Sequence, residues 1–365
     1  MLVDGQLPVF DPSKGFKKVN PAFMRSKDRG ELWPSILEKA YAKAMGSYAA
    51  LEGGEPHEAM ADLTGGAAQR VDMLKEQEAI ASGALWRNMR LMHEEGALLA
   101  CGSPTGTDTP LNQAGIPQGF AFAILKVAEA DDGRGRAARL VKIKSPTGVS
   151  AWKGKYSNSD TGRWTQRLKS LMEFDPARGD ETGEFCMAFD DFVQQYDHLY
   201  GCRIFKQPKW HVARASSAWI SGSTAGGCPS FDSVVNNPQF YLQVSQPCKV
   251  HITLRIINAN STGDRSQEEA GIRIGLKLYQ KQGKRIRQCF QSEERAATRL
   301  FEEDQRETTL SLELSPEPYP LTLLPCTFYP DSEAAFILTV ASTEPLTGLG
   351  SGSTLKLIPT TVEAS

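Results

Sequence analysis

The sequence predicts an α+β domain followed by an all-β domain built as an antiparallel sandwich, and three observations carry that reading. Near the N-terminus, Trp33, Ile36, Leu37, Ala40, Tyr41, Ala44 and Tyr48 recur at three- and four-residue steps, the spacing of one helical face. From residue 97, short apolar runs such as ALLAC, GFAFAILKV and ARLVKIKS are separated by Gly, Pro, Ser, Asn and Asp clusters, the pattern of strands and turns. After YGCRIFKQPKW the alternation becomes strict. Val250, Ile252, Leu254 and Ile256 stand against Lys249, His251, Thr253 and Arg255, and Ile272, Ile274, Leu276 and Leu278 repeat the pattern. Such strands bury one face and wet the other. A length of 365 residues suits two domains at roughly 150 each. The boundary falls near 206 to 211, giving domains over 1–206 and 207–365.

Taken in order, ELWPSILEKAYAKAMGSYAALEGG reads as a buried amphipathic helix. Pro34 suits its first turn, where no N–H is needed, and Gly53 and Gly54 supply the stop. KEQEAIASGALWRNMRLMHEEG reads as a second core helix, with Leu85, Met89 and Met92 on one side and Gly96 at its end. In the second domain TTLSLEL, PLTLL, AAFILTVAS and LKLIP continue at sandwich-like spacing, and GLGSGS at 348–353 reads as a flexible turn. No internal repeat is visible.

The 41 basic and 43 acidic side chains give a net charge of −2, which excludes a nucleic-acid arm and a polybasic membrane binder. One local asymmetry remains: Lys277, Lys281, Lys284, Arg285 and Arg287 precede Glu293, Glu294, Glu302, Glu303, Asp304 and Glu307. A solvated sheet face with charged loops accounts for it; a docking surface for the first domain or for a phospholipid headgroup is the alternative. The 7 cysteines are odd in number and show no C-x-x-C or C-x-x-H zinc spacing. With no apolar leader core and no apolar stretch near the ~18 residues of a spanning helix, the reading is a reduced, cytoplasmic chain without a transmembrane segment.

VDGQLP, ELWPSILEKAYAKAMGSYAALEGG and DLTGG, then LVKIKSP and GEFCMAFDDFVQQYDHLYGCRI, then WISGSTAGGC, NNPQFYLQV and LTLLPCTFYPDSEAAFILTVAS, resemble in that order the calpain family of cysteine endopeptidases. The resemblance implies the second lobe of a papain-like protease core joined to an eight-stranded antiparallel sandwich. It also implies calcium-dependent peptidase chemistry, which requires a thiol nucleophile, an imidazole base and a carboxamide that orients the imidazole. The family's Cys lies in a Q-x-x-x-x-D-C-W type segment of an earlier lobe, and this sequence reads as starting after it. The family's G-H-A-Y-S motif aligns with Gly119-Phe120-Ala121-Phe122-Ala123, so Phe120 takes the histidine position. Its N-P-W-G motif aligns with Ser145-Pro146-Thr147-Gly148, so Ser145 replaces the orienting Asn and Thr147 the shielding Trp. No catalytic residue is therefore expected.

No other side chain offers itself. His57 in the turn EPHEA, His93 beside two glutamates and His251 on the polar side of a strand read as surface groups, while Cys186 and Cys228 read as packing thiols. Cys101 ends a strand and has no basic neighbour to activate it. The family's calcium positions correspond to Ala151, Asn158, Thr182 and Glu184, three of which lack a carboxylate, with Asp160 or Glu181 as the available replacements. The acidic loop of the family's sandwich corresponds to Asp264-Arg265-Ser266-Gln267-Glu268-Glu269, short and diluted by Arg265. No EF-hand pattern and no cofactor are expected. The expectation is a catalytically inactive protein-binding or regulatory module whose partner is a protein or an unfolded peptide segment. The alternatives are a peptidase fragment completed by a Cys-bearing lobe, and a sandwich that binds phospholipid weakly or binds the cytoskeleton.

Overall fold

The computed structural model describes residues 2–9, 21–26, 28, 30–105, 111–131, 137–148, 152–257, 272–298 and 306–347. Ala151, the loop 264–269, Glu302 to Asp304, and the segments GLGSGS and LKLIP lie outside the described residues, as does the side chain of Glu181. The first domain contains α1 (Trp33–Met45), α2 (Pro56–Thr64), β1 (Ala67–Asp72), α3 (Gln77–Ala81), α4 (Ala84–Glu94), β2 (Leu98–Gly102), β3 (Ala121–Asp131), β4 (Ala137–Lys144), α5 (Gln166–Met172), α6 (Gly179–Thr182), β5 (Glu184–Ala188), α7 (Phe189–Gln195) and β6 (His198–Arg203). Its strands form one antiparallel sheet in the order β1-β6-β2-β3-β4-β5.

Strand alternation sends side chains to both faces of this sheet. One face packs Phe122, Ile124, Val141, Ile143 and Phe185 against Trp86, Met89 and Met92 of α4 and against Phe189, Phe192 and Tyr196. The other sets Leu140 and Cys186 against Leu168 and Met172 of α5, with Trp164 and Phe174. Gly201 is a glycine for a packing reason: a Cβ there would stand 2.2 Å from Met92 Cε, so α4 could not seat on β6.

Two helices depart from the sequence reading. The apolar face of α1 is not core: Trp33 is 61 % exposed and Ile36 and Leu37 are each 37 % exposed, whereas Ser35 and Ala42 point inward. Polar anchors hold this helix, with Tyr41 Oη donating to Asp62 and Lys43 to the Leu2 carbonyl. It also stops early, because Gly46 with φ of 99° caps it after Met45. The second helical stretch breaks into α3 and α4 at Gly83 (φ 72°), while Leu85, Met89 and Met92 are buried as expected.

The second domain stacks two antiparallel sheets. One runs β11-β10-β13-β8-β15 and the other β12-β9-β14-β7, comprising β7 (His211–Trp219), β8 (Phe240–Val244), β9 (Cys248–Ile257), β10 (Ile274–Tyr279), β11 (Glu294–Ala297), β12 (Glu307–Leu314), β13 (Leu321–Thr327), β14 (Ala334–Ser342) and β15 (Leu346–Thr347). Val250, Ile252, Leu254 and Ile256 fill the space between the sheets, as their alternation requires.

The opposite face of β9 is not wet. Lys249 and Arg255 reach the first domain at Glu95 and Asp62, and His251 and Thr253 between them are buried. His251 shares a 2.6 Å hydrogen bond with Ser311, its cross-strand partner on β12, and packs against Phe205 and Trp210 of the connecting segment. Alternation identifies the second face of a strand; here another domain covers it.

Candidate functional site

The two positions expected to be emptied of chemistry lie at one end of one strand pair. Phe120 immediately precedes β3 and Ser145 immediately follows β4, and the register that pairs Ala123 with Lys144 brings these ends together. The Phe120 N–H donates to Ser103 Oγ (3.1 Å) and its carbonyl accepts from the Ser103 N–H (3.0 Å), which extends the β2–β3 ladder by one residue. The ring is half-buried against the edge of the α4 core. Two residues on, Phe122 turns wholly inward, edge-to-face with Tyr196 and Phe185.

Ser145 is 3 % exposed, and its hydroxyl shares a 2.9 Å hydrogen bond with Thr147 Oγ1. Its N–H donates to the Gly183 carbonyl at 2.9 Å. Gly183, at φ 72°, comes so close that a Cβ would lie 2.7 Å from Gly148 Cα. The turn 145–148 is thus clamped onto the turn before β5, and the serine side chain serves that turn.

Imidazoles and thiols do not meet. Among the described residues, no histidine makes a hydrogen bond to a cysteine. His57 and His198 both stack with Tyr200, at 5.6 and 6.0 Å between ring centroids, and His198 Nε2 lies 2.8 Å from Arg70. His57 and His251 are buried rather than exposed, a correction to the sequence reading. His57 sits in the first turn of α2 against Tyr200, and His251 sits under the interdomain contact. Burial holds the pKa values of His57 and His198 below the usual imidazole range and lowers that of His251 to about 4. It pushes Cys101, Cys186, Cys202, Cys248, Cys289 and Cys326 up, away from the thiolate a nucleophile requires.

Asn158, Gly179 and Glu184 are gathered at one place. A Cβ on Gly179 would stand 2.5 Å from Asn158 Nδ2 and 2.7 Å from the Glu184 carbonyl. Yet the donor set does not fit a hard divalent cation, which takes about six to eight oxygen ligands, several of them carboxylate. Thr182 Oγ1 donates to the Gly179 carbonyl (3.2 Å). Asp160 caps the Tyr156 N–H at 2.9 Å and pairs with Arg163 at 2.8 Å. The Glu184 carboxylate already faces Lys142 and Lys144, at 3.2 and 3.8 Å.

A second polar assembly was not anticipated from the sequence. At the seam between the domains, Glu307 of β12 is clasped by Arg255 of β9 and accepts the Ala68 N–H of β1. Arg255 also reaches Asp62 of α2 (3.3 Å), and Arg306 reaches Glu58 (3.4 Å). In the sandwich the basic run finds acidic partners of its own: Lys277 pairs with Glu294 at 2.6 Å and Lys281 with Glu293. No helix among the described residues is long and apolar enough to cross a membrane.

The α+β lobe with its six-stranded antiparallel sheet and the two-sheet sandwich tied to it by charge are the two regions matched by family profiles of a cysteine-protease core and an appended β-domain. A family profile described as "Calpain family cysteine protease" matches residues 1–203, and one described as "Calpain large subunit, domain III" matches residues 215–341. The chain belongs to the calpain family. It is 36% identical over 357 residues to the calpain-type cysteine protease DEK1 of Zea mays, covering 94% of this chain and 16% of that protein. To the calpain-type cysteine protease ADL1 of Oryza sativa it is 35% identical over 361 residues, covering 95% of this chain and 16% of the relative. To calpain-9 of Rattus norvegicus it is 31% identical over 366 residues, covering 94% of this chain and 50% of the relative. The chain therefore spans half or less of the length of these curated relatives.

Proposed function

We propose that this chain is a catalytically inactive calpain-like protein that works as a protein-binding or regulatory module. One observation carries the reading: at the end of the β3–β4 pair, where the family's chemistry requires an imidazole and an orienting carboxamide, stand Phe120 and Ser145. A phenyl ring neither takes a proton from sulfur nor returns one to a leaving amine, and the Ser145 hydroxyl is bonded to Thr147. Without base and orienter, little acceleration remains beyond what binding supplies. The half-exposed Phe120 ring adds apolar surface suited to an extended, unfolded peptide segment. Incubating the purified chain with an unfolded protein, in chelator or in millimolar Ca²⁺, is expected to leave the substrate intact. Turnover abolished by a thiol alkylator would reject the reading.

The exposed face of α1 favours a second reading, in which further polypeptide completes the lobe. Trp33, Ile36 and Leu37 present one continuous apolar stripe, and exposed Met24 is tethered beside it through Ser35. Stripes of this kind mark interaction sites, and a Cys-bearing lobe is the occupant this reading names. Adding such a lobe to the chain with Phe120 and Ser145 unchanged separates the two readings: proteolysis by the lobe-bearing protein supports completion, and inactivity of that folded protein, relieved only by Phe120→His with Ser145→Asn, supports the first reading.

A further inference from the structure

Lys142 is an unusual lysine in being only 9 % exposed, on β4, a strand paired on both sides by β3 and β5, at the margin of the α5 core. Its Nζ donates to the Glu173 carbonyl at the C-terminal end of α5 (3.0 Å) and pairs with Glu184 Oε2 on β5 (3.2 Å). The helix end offers an unpaired carbonyl and the negative pole of its dipole, so an ammonium there satisfies both. Lys144, directly opposite Glu184 in the β4–β5 register, brings a second ammonium 3.8 Å from Oε1. Lys126 of β3 engages the Glu173 carboxylate, so three lysines from two strands bind the two ends of the segment 173–184. This is the segment whose Glu184 carbonyl and Gly179 backbone enclose Asn158. One buried positive charge thus joins helix α5, strand β4 and strand β5, and the carboxylate that an external cation would need is already neutralised.

We propose that Lys142 is a built-in cation for this lobe, taking the ordering role that a bound divalent ion would otherwise play, so that the lobe keeps one form and one stability whether or not Ca²⁺ is present. A buried ammonium is retained only when its counter-charge and hydrogen bonds are in place, and removing either partner leaves the other stranded. The geometry meets that condition through one carboxylate and one helix carbonyl.

The test uses the full chain and two readouts. In thermal unfolding, millimolar Ca²⁺ and chelator are expected to give melting temperatures within about 1 °C of each other, since an ion that does not bind the native state cannot shift it. Titration with Tb³⁺ under tryptophan excitation is expected to give no stoichiometric, saturable luminescence, although the Trp164 ring lies 5.3 Å from the Phe174 ring of the segment. Lys142→Met is expected to lower Tm by about 5–10 °C, with Lys142→Arg recovering most of the loss. A Ca²⁺-dependent rise in wild-type Tm, a saturable Tb³⁺ signal, or a Lys142→Met protein as stable as wild type overturns the proposal. If Lys142→Met yields no folded protein, Glu184→Gln decides, because it strands the same ammonium: a fall in Tm supports the lock and an unchanged Tm rejects it. Proteolysis, if found, would reject the inactive reading and leave this one standing, so the two fail separately.

Discussion

The interdomain seam and the β3–β4 end treat polar groups in opposite ways. At the seam, Glu307, Arg255, Asp62, Arg306 and Glu58 are drawn together from α2, β9, β12 and the residue preceding β12, each facing an opposite charge. At the β3–β4 end, the positions that would carry proton chemistry hold a hydrocarbon ring and a hydroxyl committed to its own turn. Charge is concentrated where the domains meet, and the side chains at 120 and 145 carry none.

The largest effect should come from breaking the seam. The Glu307 side chain is 6 % exposed, and Arg255 is its cation. Removing one partner of such a pair leaves an uncompensated buried charge and typically costs about 3–5 kcal/mol. Arg255→Ala is therefore expected to be strongly destabilising in denaturant unfolding at pH 8. The same substitution at Lys75, whose 81 % exposed side chain pairs with Asp72 at 3.6 Å, should change stability by less than about 0.5 kcal/mol.

The pH dependence of the seam sharpens the contrast. Burial raises the Glu307 carboxyl to about 7, outweighing the attraction of Arg255 and the Ala68 N–H. Because the folded value lies above the unfolded one, the protonated form is what the fold prefers. The associated stability is fully present below the unfolded value of 4.5 and is lost as pH rises through about 7. Stability of the wild-type chain should thus decline between about pH 5 and pH 8 by an amount on the order of 3 kcal/mol from this group. Glu307→Gln should flatten that slope, and an equal slope in both proteins would mean that the carboxylate stays ionised throughout. The cost of Arg255→Ala should also shrink at pH 5, where Glu307 can go neutral.

These two regions also differ in how much of them the sequence disclosed. The β3–β4 end was legible because its signals are local: GFAFA and SPTG are short contiguous runs, and a motif comparison reads them one residue at a time. The inward face of β9 was legible for the same reason, since Val250, Ile252, Leu254 and Ile256 alternate and all four are buried. The seam was not legible. Arg255 lies 52 residues from Glu307 and 193 from Asp62, and nothing local in the three segments announces that they meet. Alternation marked Lys249, His251, Thr253 and Arg255 as the polar face of a strand, but it does not say whether water or a second domain lies against that face. For α1 the failure ran the other way, because helical periodicity reports an apolar stripe without reporting what covers it. The lysine lock shows a third limit: VKIKS displays two lysines on one face, yet only the β4–β5 register places one of them opposite Glu184.

The smallest and most discriminating prediction concerns two phenylalanines of one strand segment. Phe122 is fully buried between Phe185 and Tyr196, and truncating it to Ala should cost about 3–5 kcal/mol through lost transfer energy and a residual cavity. Phe120 is half-buried at the edge of the same core, so Phe120→Ala should cost only about 1 kcal/mol, and Phe120→His should be tolerated at similar cost because the ring points toward solvent on one side. Paired denaturant melts of the two Ala variants measure the difference. If Phe120→Ala proved as costly as Phe122→Ala, the ring at 120 would be a core element rather than part of an open surface, and the proposed peptide-facing wall would lose its apolar contact. A small cost, combined with weakened capture of an unfolded peptide by Phe120→Ala, would instead separate binding from stability at this single position.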